Sequence, residues 1–142
     1  MPEGATLTDD AGGAFDLECT AAVPATGRLE IHVLATPDGR ERTVVFIDGP
    51  TGTAGIDTRN SALTGDGAAD VFSAPIQARE GVPIRVLRDG SIVEAFVNGM
   101  AFTVRVIPTL ADASSIRLVT AGDAVKADVE AWEMSPDAVE FT

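Results

Sequence analysis

The residues best suited to binding chemistry are charged side chains inside an otherwise apolar, β-type stretch, Ile84 to Ile107. Glu94 stands in the middle of a predicted strand, and Arg85 and Arg105 stand in the strands before and after it. Arginine donates hydrogen bonds and glutamate accepts them, so such a group suits a ligand rich in hydroxyls. The same residues also suit a purely structural cross-strand ion pair, which contributes about 0.2–1 kcal/mol. At the level of the residues both interpretations stay open.

Two tight turns predict how these side chains meet. Asp89-Gly90 and Asn98-Gly99 are preferred residue pairs for two-residue type I′ hairpins. With both pairs in the turns, Glu94 faces Arg85 on one neighbouring strand and Thr103 on the other. Side chains alternate between the two faces of a strand, so the opposite side of this meander is predicted to be a core face. Its members are Ile84, Val86, Val93, Ala95, Val97, Phe102 and Val104.

Nucleophilic and metal-binding residues are scarce in the chain. Cys19 is the only cysteine and His32 the only histidine, which excludes an internal disulfide and a cysteine-rich metal site and leaves little for Ser-His or Cys-His catalysis. Cys19 is in phase with Phe15 and Leu17, and it is predicted to be a buried core thiol. Acidic clusters in the sequence lack the periodic oxygen ligands of a calcium loop. No catalytic residue, metal site or cofactor is therefore predicted.

The composition fits one acidic globular domain. The chain has 142 residues, 45% of them apolar, and a net charge of −12. A protein this acidic repels nucleic-acid phosphates and anionic membranes, so neither is predicted as a partner. No apolar run approaches the roughly 20 residues of a membrane span. No signal-peptide pattern is visible at the start, and the residues alone leave the compartment unassigned.

Short β-type runs separated by turn residues predict an all-β fold, an antiparallel two-sheet sandwich. Residues 1–13 are predicted to be a flexible lead or linker, residues 14–136 the β-sandwich domain, and residues 137–142 a tail. Trp132, in the last strand, is predicted to lie in the core or an interface rather than to form a sugar platform. The predicted strands are Phe15–Val23, Arg28–Ala35, Thr43–Asp48, Gly55–Thr58, Asp70–Ile76, Ile84–Arg88, Ser91–Val97, Ala101–Ile107, Ser115–Thr120 and Lys126–Met134.

Several of these segments together resemble the C-terminal β-sandwich module of glycoside hydrolase family 32, the invertases, inulinases and levanases. Segments 55–61, 105–109 and 128–134 resemble the module's Val-Asp-Arg-x-x-Ser, Arg-x-Tyr-Pro and Ala-Trp-x-Met segments. Two positions depart from the family: Gly90 stands where Arg is frequent, and Thr58 is inserted between Asp57 and Arg59. The family's Asp-x-Ser-x-x-Glu-x-Phe-x-Asn pattern is matched by Asp89, Ser91, Glu94, Phe96 and Asn98.

The resemblance implies a jelly-roll, concanavalin A-like sandwich that is not an enzyme by itself. In that family the chemistry belongs to an N-terminal propeller with an Asn-Asp-Pro motif, which this sequence lacks. Related modules, the family 66 carbohydrate-binding modules, bind terminal fructose of fructans in a polar pocket. The resemblance thus implies fructan or another glycan as the partner and an extracellular location. The implied carbohydrate-binding residues are Asp57, Arg59, Arg85, Asp89, Ser91, Glu94 and Arg105.

Two alternatives stand beside glycan binding. In the first, the module is purely structural and packs on a catalytic propeller domain; isolated, it would expose Leu87, Ile92 and Phe96 and self-associate weakly. In the second, the chain is one half of a glycosidase whose propeller is a separate polypeptide.

Overall fold

A computed structural model describes residues 3–8, 10–62, 70–110, 112–122 and 124–133. The chain alternates apolar and polar residues along most of its strands, which is the period of a half-buried sheet. No helix in these ranges is long and apolar enough to cross a membrane. The strands are β1 (Glu3–Thr8), β2 (Ala14–Ala22), β3 (Arg28–Ala35), β4 (Thr43–Asp48), β5 (Thr53–Asp57), β6 (Val71–Pro75), β7 (Val82–Asp89), β8 (Ile92–Val97), β9 (Met100–Arg105), β10 (Ser115–Ala121) and β11 (Lys126–Glu133).

The strands form two antiparallel sheets that pack face to face. The six-stranded sheet has the order β1-β10-β3-β4-β5-β6, and the five-stranded sheet has the order β11-β2-β7-β8-β9. Inward side chains such as Phe15, Leu17, Ile31, Ile56 and Val86 are at most 1% exposed, and they fill the space between the sheets. The predicted all-β, two-sheet antiparallel sandwich is confirmed.

Residues 3–8 correct the prediction of a flexible lead over residues 1–13. They form β1, which pairs with β10 from Glu3↔Thr120 to Thr8↔Ile116. Only Ala5 and Leu7 are apolar in this strand, and Leu7 is 40% exposed, so the local pattern carried little signal. Pairing with a partner more than 100 residues away, which no local pattern reports, makes it a strand. The predicted tail, 137–142, lies outside the described residues.

The β8–β9 hairpin has the predicted register, and the β7–β8 hairpin does not. Val97 pairs with Met100 across Asn98 and Gly99, which both have positive φ as a type I′ turn requires. In the preceding hairpin Asp89 pairs with Ile92, so Gly90 and Ser91 occupy the turn instead of Asp89 and Gly90. Gly90 has φ +58°, and Ser91 is not in the left-handed region, which is the pattern of a type II′ turn.

Candidate functional site

The candidate site lies on the outer face of the five-stranded sheet, which we define by the outward side chains of β11, β2, β7, β8 and β9. These side chains alternate with the buried ones, so polar residues from five strands share one surface. These polar residues are Asp128 and Glu130 of β11, Asp16, Glu18 and Thr20 of β2, Arg85 of β7, Glu94 of β8, and Thr103 and Arg105 of β9.

Arg85 is held in place by a residue of β2. Its Nη2 lies 2.7 Å from Asp16 Oδ2 and its Nε lies 3.1 Å from Asp16 Oδ1, a bidentate geometry. The hydrogen bonds and the negative charge of Asp16 raise the pKa of Arg85, and the charge of Glu18 adds to the shift. The Arg85 side chain is half exposed, so part of its donor capacity faces the surroundings.

Beside Arg85 the surface forms an open depression of about 660 Å³. Three carboxylates, those of Glu18, Asp128 and Glu130, line it together with the Thr20 hydroxyl. The half-buried ring of Phe96 contributes an apolar patch. Carboxylates only accept hydrogen bonds, so this surface favours a ligand that presents several hydroxyl donors and one acceptor for the guanidinium.

Sequence reasoning missed the contribution of β2 and β11 to this surface. The signal was present, because acidic residues recur with period two in Asp16-Leu17-Glu18 and in Asp128-Val129-Glu130. What the sequence could not supply is the pairing that places β11, the last strand, next to β2 and β2 next to β7.

Glu94 is not opposite Arg85, which corrects the predicted row of Arg85, Glu94 and Thr103. Leu87 faces Glu94, and Arg85 faces Phe96, because the turn lies one residue later than predicted and the pairing shifts by two. The pairing of Glu94 with Thr103 is as predicted. Within the described residues no hydrogen bond or ion pair joins Glu94 to either predicted arginine.

Asp89, Ser91 and Arg105 lie at the hairpin end of the same sheet. Asp89 faces Ile92 and Ile92 faces Arg105, so the two charged residues flank an apolar side chain that is 39% exposed. Val106 N donates to Ser91 O over 2.7 Å, which ties the end of β9 to the turn.

Asp57 and Arg59 lie on the other sheet and bind each other. Asp57 ends β5 and points outward, because its neighbour Ile56 is fully buried in the core. Arg59 follows the inserted Thr58, and the Arg59 Nη2 lies 2.7 Å from Asp57 Oδ2. Partial burial raises the pKa of Asp57. The hydrogen bonds and the charge of Arg59 outweigh burial and hold this pKa below its ordinary value. The structure therefore does not bring this pair together with Arg85 and Glu94.

Cys19 and Trp132, for which the sequence also made predictions, differ in how far they are buried. Cys19 is buried in the core as predicted, and burial together with the Asp128 charge raises its pKa to about 11. Trp132 is predicted to lie in the core or an interface; it is 46% exposed and faces Asp16 across β11 and β2, so the core prediction is wrong and the interface stays a prediction. Among the residues described, no group of three or more His, Cys, Asp or Glu is arranged to hold a metal ion.

Comparison with known families decides what kind of sandwich this is. The family model described as "Glycosyl hydrolases family 32 C terminal" matches residues 2–133. The chain belongs to this family. The matched range includes β1 and ends with β11, so it coincides with the sandwich. A search of curated proteins found no match.

Solved structures of similar fold include whole enzymes and a separate module. Fructan 1-exohydrolase IIa from Cichorium intybus superimposes with a TM-score of 0.73 at 15% identity, over 93% of this chain and 33% of that one. Exo-inulinase from Aspergillus awamori gives 0.68 at 22% identity, over 89% and 28%. The carbohydrate-binding module CBM66 from Bacillus subtilis gives 0.56 at 13% identity, over 84% and 73%. At these identities the likeness shows the fold. This family 32 C-terminal module thus spans about a third or less of the two enzymes' length.

Proposed function

We propose that the chain is a non-catalytic module of a fructan-active glycoside hydrolase, and that it binds fructose-containing glycans on the outer face of the five-stranded sheet. The observation that carries the proposal is the polar depression beside Arg85, in a chain of this family. Its carboxylates accept hydrogen bonds from sugar hydroxyls, and the guanidinium donates to a ring or hydroxyl oxygen. Phe96 offers an apolar surface to the sugar's C–H groups.

The proposed site includes five of the residues predicted to bind glycan: Arg85, Glu94 and the hairpin-end residues Asp89, Ser91 and Arg105. Glu94 lies one step along β8 from Phe96 on the same outer face, so a second sugar unit beside the depression would reach it. Asp89, Ser91 and Arg105 border that extension. The Asp57–Arg59 pair is left out, because it lies on the outer face of the opposite sheet.

Isothermal titration of the chain with levan, inulin and sucrose tests the proposal. We expect saturable binding that Arg85→Gln weakens at least about tenfold, since a charge-assisted hydrogen bond is lost inside the site. Arg59→Gln is the matched control, because it breaks an exposed Arg–Asp pair of the same geometry on the other sheet. Glu94→Ala maps the extension. Absence of heat with every glycan, or equal losses in the two arginine variants, would contradict the proposal.

A structural role in packing on a catalytic propeller is the second candidate. It is favoured by Trp132 and Ile92, two large apolar side chains exposed on the same outer face. In the isolated module such side chains favour self-association. Sedimentation at increasing concentration tests this: dimerisation that Trp132→Ser abolishes, without any glycan binding, would favour the packing role over the proposed one.

A further inference from the structure

A second polar depression, of about 400 Å³, lies on the outer face of the six-stranded sheet, on the far side of the core from the proposed glycan site. Thr6, Arg117 and His32 form a row across β1, β10 and β3 that lines it. The loop over residues 36–42 forms its wall and contributes Arg42.

The carboxylates at this depression are already engaged by neighbouring cations. Glu30 accepts from Arg28 Nε over 2.7 Å with one oxygen and pairs with His32 Nε2 over 2.8 Å with the other. Asp38 accepts from Thr36 Oγ1 and from Arg40. Each of these carboxylates is therefore paired with an arginine that offsets its negative charge.

The donors, in contrast, are largely unused. Within the described part of the chain the Arg117 guanidinium makes no ion pair or hydrogen bond, and the Arg42 guanidinium donates only to the carbonyl of Gly39, over 2.8 Å. His32 uses Nε2 toward Glu30, which leaves Nδ1 for another partner. Two guanidiniums that have no carboxylate partner among the described residues thus line one depression, in a protein with a net charge of −12.

Two backbone features lie beside these groups. The Arg117 guanidinium lies across Gly4, where a Cβ would come within 2.8 Å of Nε and Nη2. A β-bulge follows His32: pairing passes from Arg117↔His32 to Ser115↔Ala35, and the buried Leu34 has φ +45°. A bulge of this kind bends the strand and redirects its neighbours.

We propose that this depression is a binding site for a small oxyanion, the phosphate or carboxylate group of a ligand. Oxyanions only accept hydrogen bonds, and paired guanidiniums match their geometry. The proposed glycan site has the opposite character, with three carboxylates around one arginine whose charge Asp16 already compensates. The inference does not rest on the glycan proposal, because the two sites share no residue.

His32 provides a specific test, because it is the only histidine of the chain and lies in the site. The imidazole proton resonances are followed by NMR while the chain is titrated, at constant pH and ionic strength, with inorganic phosphate, glucuronate or fructose. We expect saturable shifts with phosphate, with glucuronate or with both, which identifies the oxyanion preferred. We expect none with neutral fructose.

Arg117→Gln should weaken the saturable binding at least about tenfold, because it removes a bidentate charged donor. Lys126→Gln is the control, since it removes one positive charge on the other sheet and should leave binding unchanged. Circular dichroism verifies the fold of both variants. Shifts that grow linearly with every salt, that fructose also produces, or that both variants reduce equally would overturn the proposal.

Discussion

At the scale of single residues, Glu30 couples the stability of the six-stranded sheet to pH. Its hydrogen bond with His32, followed by the hydrogen bond and charge of Arg28, lowers the pKa of Glu30 from its ordinary 4.5 to about 2, although partial burial opposes the shift. A carboxylate whose pKa is lower in the folded state stabilises the fold above its unfolded pKa. That contribution is lost as the pH falls from about 4.5 to about 2.

We therefore expect Glu30→Gln to lower the free energy of unfolding at pH 6 by about 1–3 kcal/mol, and the difference from the parent chain to vanish toward pH 2. Urea unfolding of both proteins at pH 6, 4 and 3 measures this. Glu80→Gln, which changes an exposed glutamate, should track the parent at every pH. A deficit of Glu30→Gln that stays constant down to pH 3 would mean that ionisation is not the cause.

Glu41 shows which residue-scale features lie beyond sequence reasoning. This fully buried carboxylate accepts from Thr109 N over 2.9 Å and from Leu110 N over 2.7 Å, and so ties two loops together. Its neighbours along the chain gave no sign of this role, because its partners lie almost 70 residues away. Buried polar partners of this kind follow from tertiary packing, not from local pattern.

At the scale of elements, the sequence predicted ten of the described strands. It also assigned the side chains of β7, β8 and β9 to the correct faces, although the register of β7 with β8 was wrong. The β7–β8 pairing is shifted by two residues from the prediction, and an even shift returns every side chain to its own face. Val86, Val93 and Ala95 are therefore fully buried as expected. What changed is the neighbour of Glu94, so the candidate site was altered while the core was not.

The turn that causes this shift requires a positive φ at Gly90, and this requirement can be tested. An L side chain is strained at φ +58°, while a Cβ there would meet no atom within 4 Å. Gly90→Ala should thus cost about 1 kcal/mol of stability through backbone strain alone. Gly13→Ala is the matched control, since its Cβ is equally unhindered and its φ lies outside the left-handed region. Equal effects in urea unfolding would show that the turn relaxes to another register.

At the scale of the whole molecule, the two outer faces of the sandwich have opposite hydrogen-bonding character. One presents mainly acceptors beside Arg85, and the other presents mainly donors beside Arg117. Each face also carries a residue that is unique in the chain, Trp132 on the first and His32 on the second. The two proposed sites can therefore be observed separately in one protein, and the failure of one says nothing about the other.

The acceptor-rich face adds to the repulsion within a chain of net charge −12. Glu130 is directly opposite Glu18, and like charges in that position are destabilising. Glu130→Gln should therefore raise the free energy of unfolding in 20 mM NaCl by about 0.2–1 kcal/mol. The gain should shrink in 1 M NaCl, where the Debye length is only about 3 Å and the repulsion is screened. The parent chain should itself be more stable at this salt concentration.

Unfolding of the parent chain and of Glu130→Gln at the two salt concentrations measures both effects. A parent chain that gains no stability from salt, or a variant whose gain is the same at both concentrations, would contradict the electrostatic explanation. If the depression beside Arg85 binds glycan, Glu130→Gln should also bind levan or inulin more weakly, because one acceptor becomes an amide. A variant that is more stable and binds less would show that the charge repulsion on this face is retained for binding.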